Sequence, residues 1–279
     1  MVNENYEKGD YLAVADIYLR AYGKDTVSRD DFNTALRIGN SLLMTGLYDE
    51  ASAIYGTLKK IYPDRERESI ITLALAKIDV AKNLDSAAEE KLSAVLAGGG
   101  GKNPALRNDI KITLADLYYK KGLPAKANPL YAEVLLAGGE RQGRLYSNYG
   151  RSLQAAKLSD KAIANYLKAL KDRERHPESY PADILTDIYG GLGDAYYDLK
   201  RYQEGIAAYR QALSHAGEED TEVRTWLAYM IGKGSANLQD YTGAQKSFTK
   251  VKANAVGDFW PKVADYSLDR SRSPENVGN

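Results

Sequence analysis

Leu192-Gly193-Asp194-Ala195-Tyr196-Tyr197-Asp198-Leu199-Lys200-Arg201-Tyr202-Gln203-Glu204-Gly205-Ile206-Ala207-Ala208-Tyr209-Arg210-Gln211-Ala212-Leu213 reads as two helices joined back to back by a short polar turn at Lys200-Arg201. Gly193 and Gly205, twelve residues apart, are small where two helices must touch. Tyr196 and Tyr209 are large where the gap beside that contact must be filled.

Working outward, the aromatic of the second helix serves as a ruler: Tyr18, Tyr55, Leu92, Tyr131, Tyr166, Tyr209 and Phe248. Ahead of the last six stand pairs of small residues with the same spacing: Gly39/Ala51, Ala76/Ala88, Ala115/Ala127, Gly150/Ala162, Gly193/Gly205 and Gly232/Ala244. Three positions beyond each ruler residue comes Ala21, Leu58, Val95, Val134, Ala169, Ala212 or Val251, placed to face the next unit. A fixed signature recurring in one register marks a repeat protein, in which each unit buries its apolar face only against its neighbours.

These units resemble the tetratricopeptide repeat, a helix–turn–helix of about 34 residues. Leu192-Gly193 with Tyr196, Gly205, Tyr209 and Ala212 carry the resemblance, and so do Ile38-Gly39, Leu42, Gly46, Tyr48, Ala51, Tyr55 and Pro63. Leu92 in place of an aromatic, alanine at positions 76 and 115, and a longer, less regular period are departures. The resemblance covers residues 1–257 as six and a half repeats, with 258–279 as a capping helix and frayed tail. It implies an all-α fold, a right-handed α-solenoid (superhelix) of antiparallel helix pairs.

Periodicity sets the elements. The segment Tyr6 to Tyr11 is expected to be the turn of an opening half-unit. Helices are predicted over about 29–44 and 48–61, then 70–82 and 86–96, 105–121 and 124–136, and 144–156 and 159–171. Two further pairs follow at 182–199 with 202–215 and 221–238 with 242–253, before a cap from Phe259 to about Leu268. Pro63 should stop a helix, and Pro129 should kink one. Gly98-Gly99-Gly100-Gly101 ends another, and the runs Asp64-Arg65-Glu66-Arg67 and Asp172-Arg173-Glu174-Arg175-His176-Pro177 read as solvated loops.

Composition narrows the classes. Of 279 residues 44% are hydrophobic and 27% charged, the profile of a folded chain. Lys+Arg and Asp+Glu balance at 38 each, which gives no bias toward nucleic acid or anionic membrane. With no cysteine, disulfides, thiolate metal sites and a cysteine nucleophile are excluded. No apolar run approaches the ~18 residues of a spanning helix, so no membrane insertion by this segment is expected. Met1-Val2 leads straight into what reads as mid-repeat, so the chain is expected to be part of a longer protein.

No catalytic constellation emerges. The two histidines, His176 and His215, lack a partner set for nucleophilic chemistry or a His pair for metal. Gly98–Gly101 with Lys102-Asn103 fails as a phosphate loop, because the position five before Gly101 is Leu96 and Asn103 replaces Ser or Thr. Gly232-Lys233-Gly234-Ser235 falls inside a helix. The expectation is no enzyme, no cofactor and no metal.

What remains is the inner wall that, by the resemblance, the first helices line. The expected partner-binding residues there are Asn40, Leu43 and Met44, then Lys77, Asp116, Tyr119 and Arg151, then Asp194, Tyr197, Trp226, Tyr229 and Lys233. Leu36 and Leu73 add to the apolar end. From Lys77 through Asp116, Arg151, Asp194 and Lys233 the charge alternates, which suggests inter-repeat ion pairs or a zwitterionic track for a peptide. Asp116 and Asp194 break the Lys/Asn/Arg set with which a subgroup of the resembled family clamps a chaperone's terminal carboxylate, so no such clamp is expected. The reading is a non-catalytic scaffold holding a protein or extended peptide partner in a concave groove. Alternatives are an accessory segment of an envelope assembly, secretion or polysaccharide-export protein, and a helical-repeat RNA binder, which the acidic rungs disfavour. A bacterial periplasmic or cell-envelope setting is preferred to the cytoplasm, with no residue deciding it.

Overall fold

A computed structural model describes residues 1–21, 31–98, 103–138 and 142–270. The described residues contain fifteen α-helices and no strand. The chain divides into two compact units, Met1–Lys121 and Gly122–Asn279. The first holds α1 (Val2–Glu7), α2 (Tyr11–Ala21), α3 (Phe32–Met44), α4 (Tyr48–Ile61), α5 (Arg65–Ala81), α6 (Asp85–Ala97) and α7 (Pro104–Lys120). The second holds α8 (Pro124–Ala137), α9 (Gln142–Ala155), α10 (Ser159–Arg173), α11 (Ala182–Asp198) and α12 (Tyr202–His215). It continues through α13 (Thr221–Asn237), α14 (Tyr241–Asn254) and α15 (Phe259–Arg270).

Within each unit a helix packs on its successor, and first helices also meet one another, α1 on α3, α5 on α7 and α9 on α11. The small–large signature explains how closely the paired helices approach. A methyl group on Gly39 would lie 2.7 Å from the Tyr55 ring, one on Gly150 2.3 Å from Tyr166, and one on Gly232 2.8 Å from Phe248. Those seats admit only a hydrogen, so the helices close down on the aromatic and bury it: Tyr55, Tyr166 and Tyr209 are fully enclosed. The third repeat swaps both halves together, a buried Ala76 with a buried Leu92. Of the residues expected to face the next unit, Leu58, Val134, Ala169, Ala212 and Val251 are buried and Val95 half-buried. The side chain of Ala21 lies outside the described residues, as do the Gly99–Lys102 part of the glycine linker and the tail from Ser271.

A recurring turn joins each pair. Gly9, Gly46, Asn83, Lys157, Lys200 and Gln239 all have φ between 59° and 81°. At Lys200 the amide donates to Tyr197 O and the next amide, Arg201, reaches back to Tyr196 O, each at 2.9 Å. The same double bond set closes the turns at Gly46, Asn83, Lys157 and Gln239. This is the left-handed stop that satisfies the last carbonyls of a helix.

One local expectation is corrected. The run Asp64–Arg67 is not a loop: the Asp64 carboxylate accepts the Arg67 amide at 3.1 Å and starts α5, five residues before the predicted Ile70. The run from Asp172 largely keeps the expected loop: α10 ends at Arg173, Glu174 to Pro177 are exposed, and Asp172 accepts the Tyr180 hydroxyl at 2.8 Å. Pro129 lies inside α8, which runs through it unbroken.

Candidate functional site

Each unit has its own recess on the face built by first helices. In the first, α1, α3, α5 and α7 enclose a groove of about 430 Å³. Asn40, Leu43, Met44 and Lys77 gather there as the spacing predicted, with Leu36, Ile70 and Leu73. Met44 is 67% exposed despite its apolar side chain. Asn40 is held from both sides: its Oδ1 accepts the Tyr55 hydroxyl at 2.8 Å, and its Nδ2 donates to the Tyr6 hydroxyl at 3.3 Å. It therefore braces the groove, with its amide already engaged. Asp116 and Tyr119 are half-buried on α7 and do not line this groove.

Tyr6 and Tyr11 also line it, and sequence reasoning assigned both to a turn. A signal existed. Tyr6 stands three residues before the left-handed Gly9, as Leu43 stands before Gly46 and Tyr197 before Lys200.

In the second unit, α9, α11 and α13 form a smaller recess of about 230 Å³ that brings together Arg151, Gln154, Asp187, Asp194 and Trp226. Gly190 leaves its floor open; a methyl there would meet only the Trp226 ring, at 3.7 Å. Trp226 stands edge-on to Tyr209, with centroids 5.8 Å apart. Asp194 accepts the Tyr209 hydroxyl at 2.7 Å. Burial pushes the Asp194 carboxyl up to about 6, the charge of Asp198 adds to the rise, and the Tyr209 bond works against it. Burial and that same carboxylate push the Tyr209 phenol well above its ordinary range.

The expected charge ladder does not close in this unit. Arg151 donates to Asn148 at 2.7 Å, Asp194 is taken by Tyr209, and the Lys233 ammonium lies 5.0 Å from the Tyr197 ring centroid. Inter-repeat polar pairing uses other residues: Arg144 with Asp183 at 3.1 Å between first helices, and, toward the turns, Lys82 with Asp49 at 2.5 Å, Lys120 with Asp85 at 3.0 Å and Ser159 with Asp198 at 3.2 Å. Such exposed pairs set register more than stability.

Tyr197 remains on the inner face, its hydroxyl accepting the Asn237 amide at 2.8 Å. Tyr229 turns away, with its ring 5.8 Å from Phe248 and 5.5 Å from Trp260, inside the cluster of α13, α14 and α15. Neither histidine sits in these recesses: His215 stacks on Tyr189 and His176 faces Glu178. No cluster of three or more His, Asp or Glu is placed to hold a metal among the described residues, and no described helix is long and apolar enough to cross a membrane.

Two hairpins match family models described as tetratricopeptide repeat, at residues 34–65 and 186–218. No curated protein sequence matches the chain significantly. Among solved structures, that of the anaphase-promoting-complex hetero-tetramer Cut9–Hcn1 aligns with a TM-score of 0.66 at 16% identity, over 98% of this chain and 48% of the other. The chain thus spans about half the length of that relative. The C-terminal part of a tetratricopeptide-repeat-containing protein from Cytophaga hutchinsonii gives 0.65 at 14% identity, over 96% and 98%. YrrB, described as a tetratricopeptide protein with an unusual peptide-binding site, gives 0.52 at 14% identity over 72% and 97%. At such identities these likenesses speak for the fold. That fold is in general a non-catalytic scaffold for protein–protein interaction. The chain thus carries two tetratricopeptide-repeat hairpins and shares the fold of the tetratricopeptide-repeat structures with which it aligns.

Proposed function

We propose that the chain binds a partner polypeptide through the recesses built by its first helices, with apolar side chains as anchors and no catalysis. The observation that carries this is the groove of the first unit. Leu36, Leu43, Met44 and Ile70 are spent on its wall, and Met44 is left largely in water. Apolar side chains spent on a concave surface favour an occupant that brings apolar side chains of its own. In the second unit Trp226 supplies an aromatic anchor, the residue type enriched where binding energy concentrates. Asp187 and Asp194 in the same recess favour a polypeptide over a polyanion such as RNA. Affinity capture from the native cell tests this with the full chain beside a Leu43→Glu/Met44→Glu variant. A polypeptide retained by the first and lost by the second supports the reading; equal capture removes the groove from the account.

A further inference from the structure

The opposite face of the second unit carries a second recess that the concave reading does not use. It lies between α8 and α10, over α9, and measures about 370 Å³. Its walls are Ala132, Leu135 and Leu136 from α8, with Tyr146, Tyr149 and Leu153 from α9 beneath. Leu136 is 89% exposed, an unusual position for a leucine beside an apolar floor. The floor is fixed, because the buried Asn165 donates to Tyr146 O at 2.8 Å. The far wall, α10, carries Lys161 and Lys168, seven residues or about 10 Å apart along one face. Neither lysine has an ion-pair or hydrogen-bond partner among the described residues. Asp172, whose charge is felt by Tyr146, is already engaged by the Tyr180 hydroxyl.

The first unit offers an internal comparison. A recess of about 470 Å³ there includes Lys59, Glu68, Thr72, Glu90 and Lys91 in its lining. Lys59 pairs with Glu68 at 3.1 Å and Lys91 with Asp79, so that surface answers most of its own charge. In the second unit the lysines are left over and the polar floor is replaced by leucine and tyrosine. A site with spare cations beside spare apolar surface fits an anionic, amphipathic occupant.

The occupant's conformation follows from the walls. All three are helices whose backbone groups are consumed internally, so no edge is offered to an extended strand. A segment docking here must satisfy its own backbone, which a helix does. We propose that this face docks an acidic amphipathic helix of a partner protein. Its apolar stripe lies on Leu135, Leu136 and Tyr149, and carboxylates about two turns apart reach Lys161 and Lys168.

The test is a selection of helix-forming peptides, about 18 residues long with the exposed positions varied, against the full chain. Selected peptides are then measured by fluorescence anisotropy against Lys161→Glu/Lys168→Glu and Leu136→Glu variants; all three positions are exposed, so folding is preserved and checked by circular dichroism. The expected result is enrichment of peptides pairing Leu or Phe with Glu or Asp seven apart. Their affinity falls at least tenfold in either variant and declines with salt, while Trp226→Ala leaves it unchanged. Enriched peptides without acidic pairs, or binding indifferent to the two variants, would overturn the proposal. So would cosedimentation with phosphatidylserine vesicles that is lost in the lysine variant while no peptide is selected, which would assign the lysines to a membrane surface.

Discussion

A methyl group placed on Gly193 would stand 2.5 Å from the ring of Tyr209, closer than carbon atoms approach without displacement. The contact joins α11 to α12, and the buried tyrosine cannot retreat into solvent. Gly193→Ala is therefore expected to destabilise the chain by about 1–3 kcal/mol through overpacking. Urea unfolding followed by far-ultraviolet circular dichroism reads the change; a variant as stable as the parent would mean that the seam is loose.

In the third repeat Ala76 and Leu92 are both buried, so there a methyl group in the glycine position goes with a smaller partner. Gly232 and Phe248 allow the cleanest trial, since no hydroxyl is lost. Gly232→Ala is expected to be destabilising alone, and less so when Phe248→Leu accompanies it. A double-mutant cycle should give a favourable coupling of about 0.5–2 kcal/mol. Strict additivity would contradict the pairing.

Lys157 and Lys200 occupy the left-handed turn position that Gly46 fills elsewhere, at φ 60° where a Cβ is strained. Lys157→Gly and Lys200→Gly should each raise stability by about 0.5–1 kcal/mol, the relief of strain outweighing the added freedom of the unfolded glycine. Lower thermal midpoints for both would show that the lysine side chains matter more than their backbone.

Asp194 gives a pH signature. Its carboxyl, raised to about 6, keeps a proton in the folded chain that the unfolded chain releases near pH 4. Stability from this group is present below about pH 4 and lost as pH rises through about 6. Asp194→Asn keeps an acceptor for Tyr209 and removes the titration. The variant should be more stable than the parent at pH 7 by about 1–3 kcal/mol, with the advantage shrinking toward pH 4. An advantage that is the same at both ends would place the cause elsewhere.

Trp226 and Tyr197 present aromatic surface on the inner face of the second unit. Trp226→Ala with Tyr197→Ala is expected to weaken partner capture by ~30-fold or more, the scale of ~2 kcal/mol at an aromatic hot spot, while the helical signal persists. Capture at parental strength would take this end of the inner face out of the binding surface.

How much was legible follows from what spacing encodes. The twelve-residue interval located the Gly39–Tyr55, Gly150–Tyr166, Gly193–Tyr209 and Gly232–Phe248 seats, because period and size are written directly in the chain. Asn40, Leu43, Met44 and Lys77 were placed together for the same reason. Competition among neighbours is not written there. Asp194 had both Arg151 and Tyr209 within plausible reach, and the hydroxyl took it; Tyr229 could have faced the groove, and Phe248 with Trp260 drew it away. The turns themselves were placed, as at Lys200-Arg201, but their left-handed conformation was not legible where Asn83, Lys157, Lys200 and Gln239 stand in for glycine. The start of α5 was missed because a charged run outweighed a single capping aspartate.

Site-specific photo-crosslinking in the native cell tests the binding role most directly, with the photoreactive residue placed in turn at Met44, Lys77 and Lys233 and, as a control outside the grooves, at the exposed Lys60 of α4. The account predicts a polypeptide adduct of common identity at the three inner positions and none at Lys60. Adducts at Lys60 alone, or none at the inner positions while an intact partner still copurifies, would contradict it.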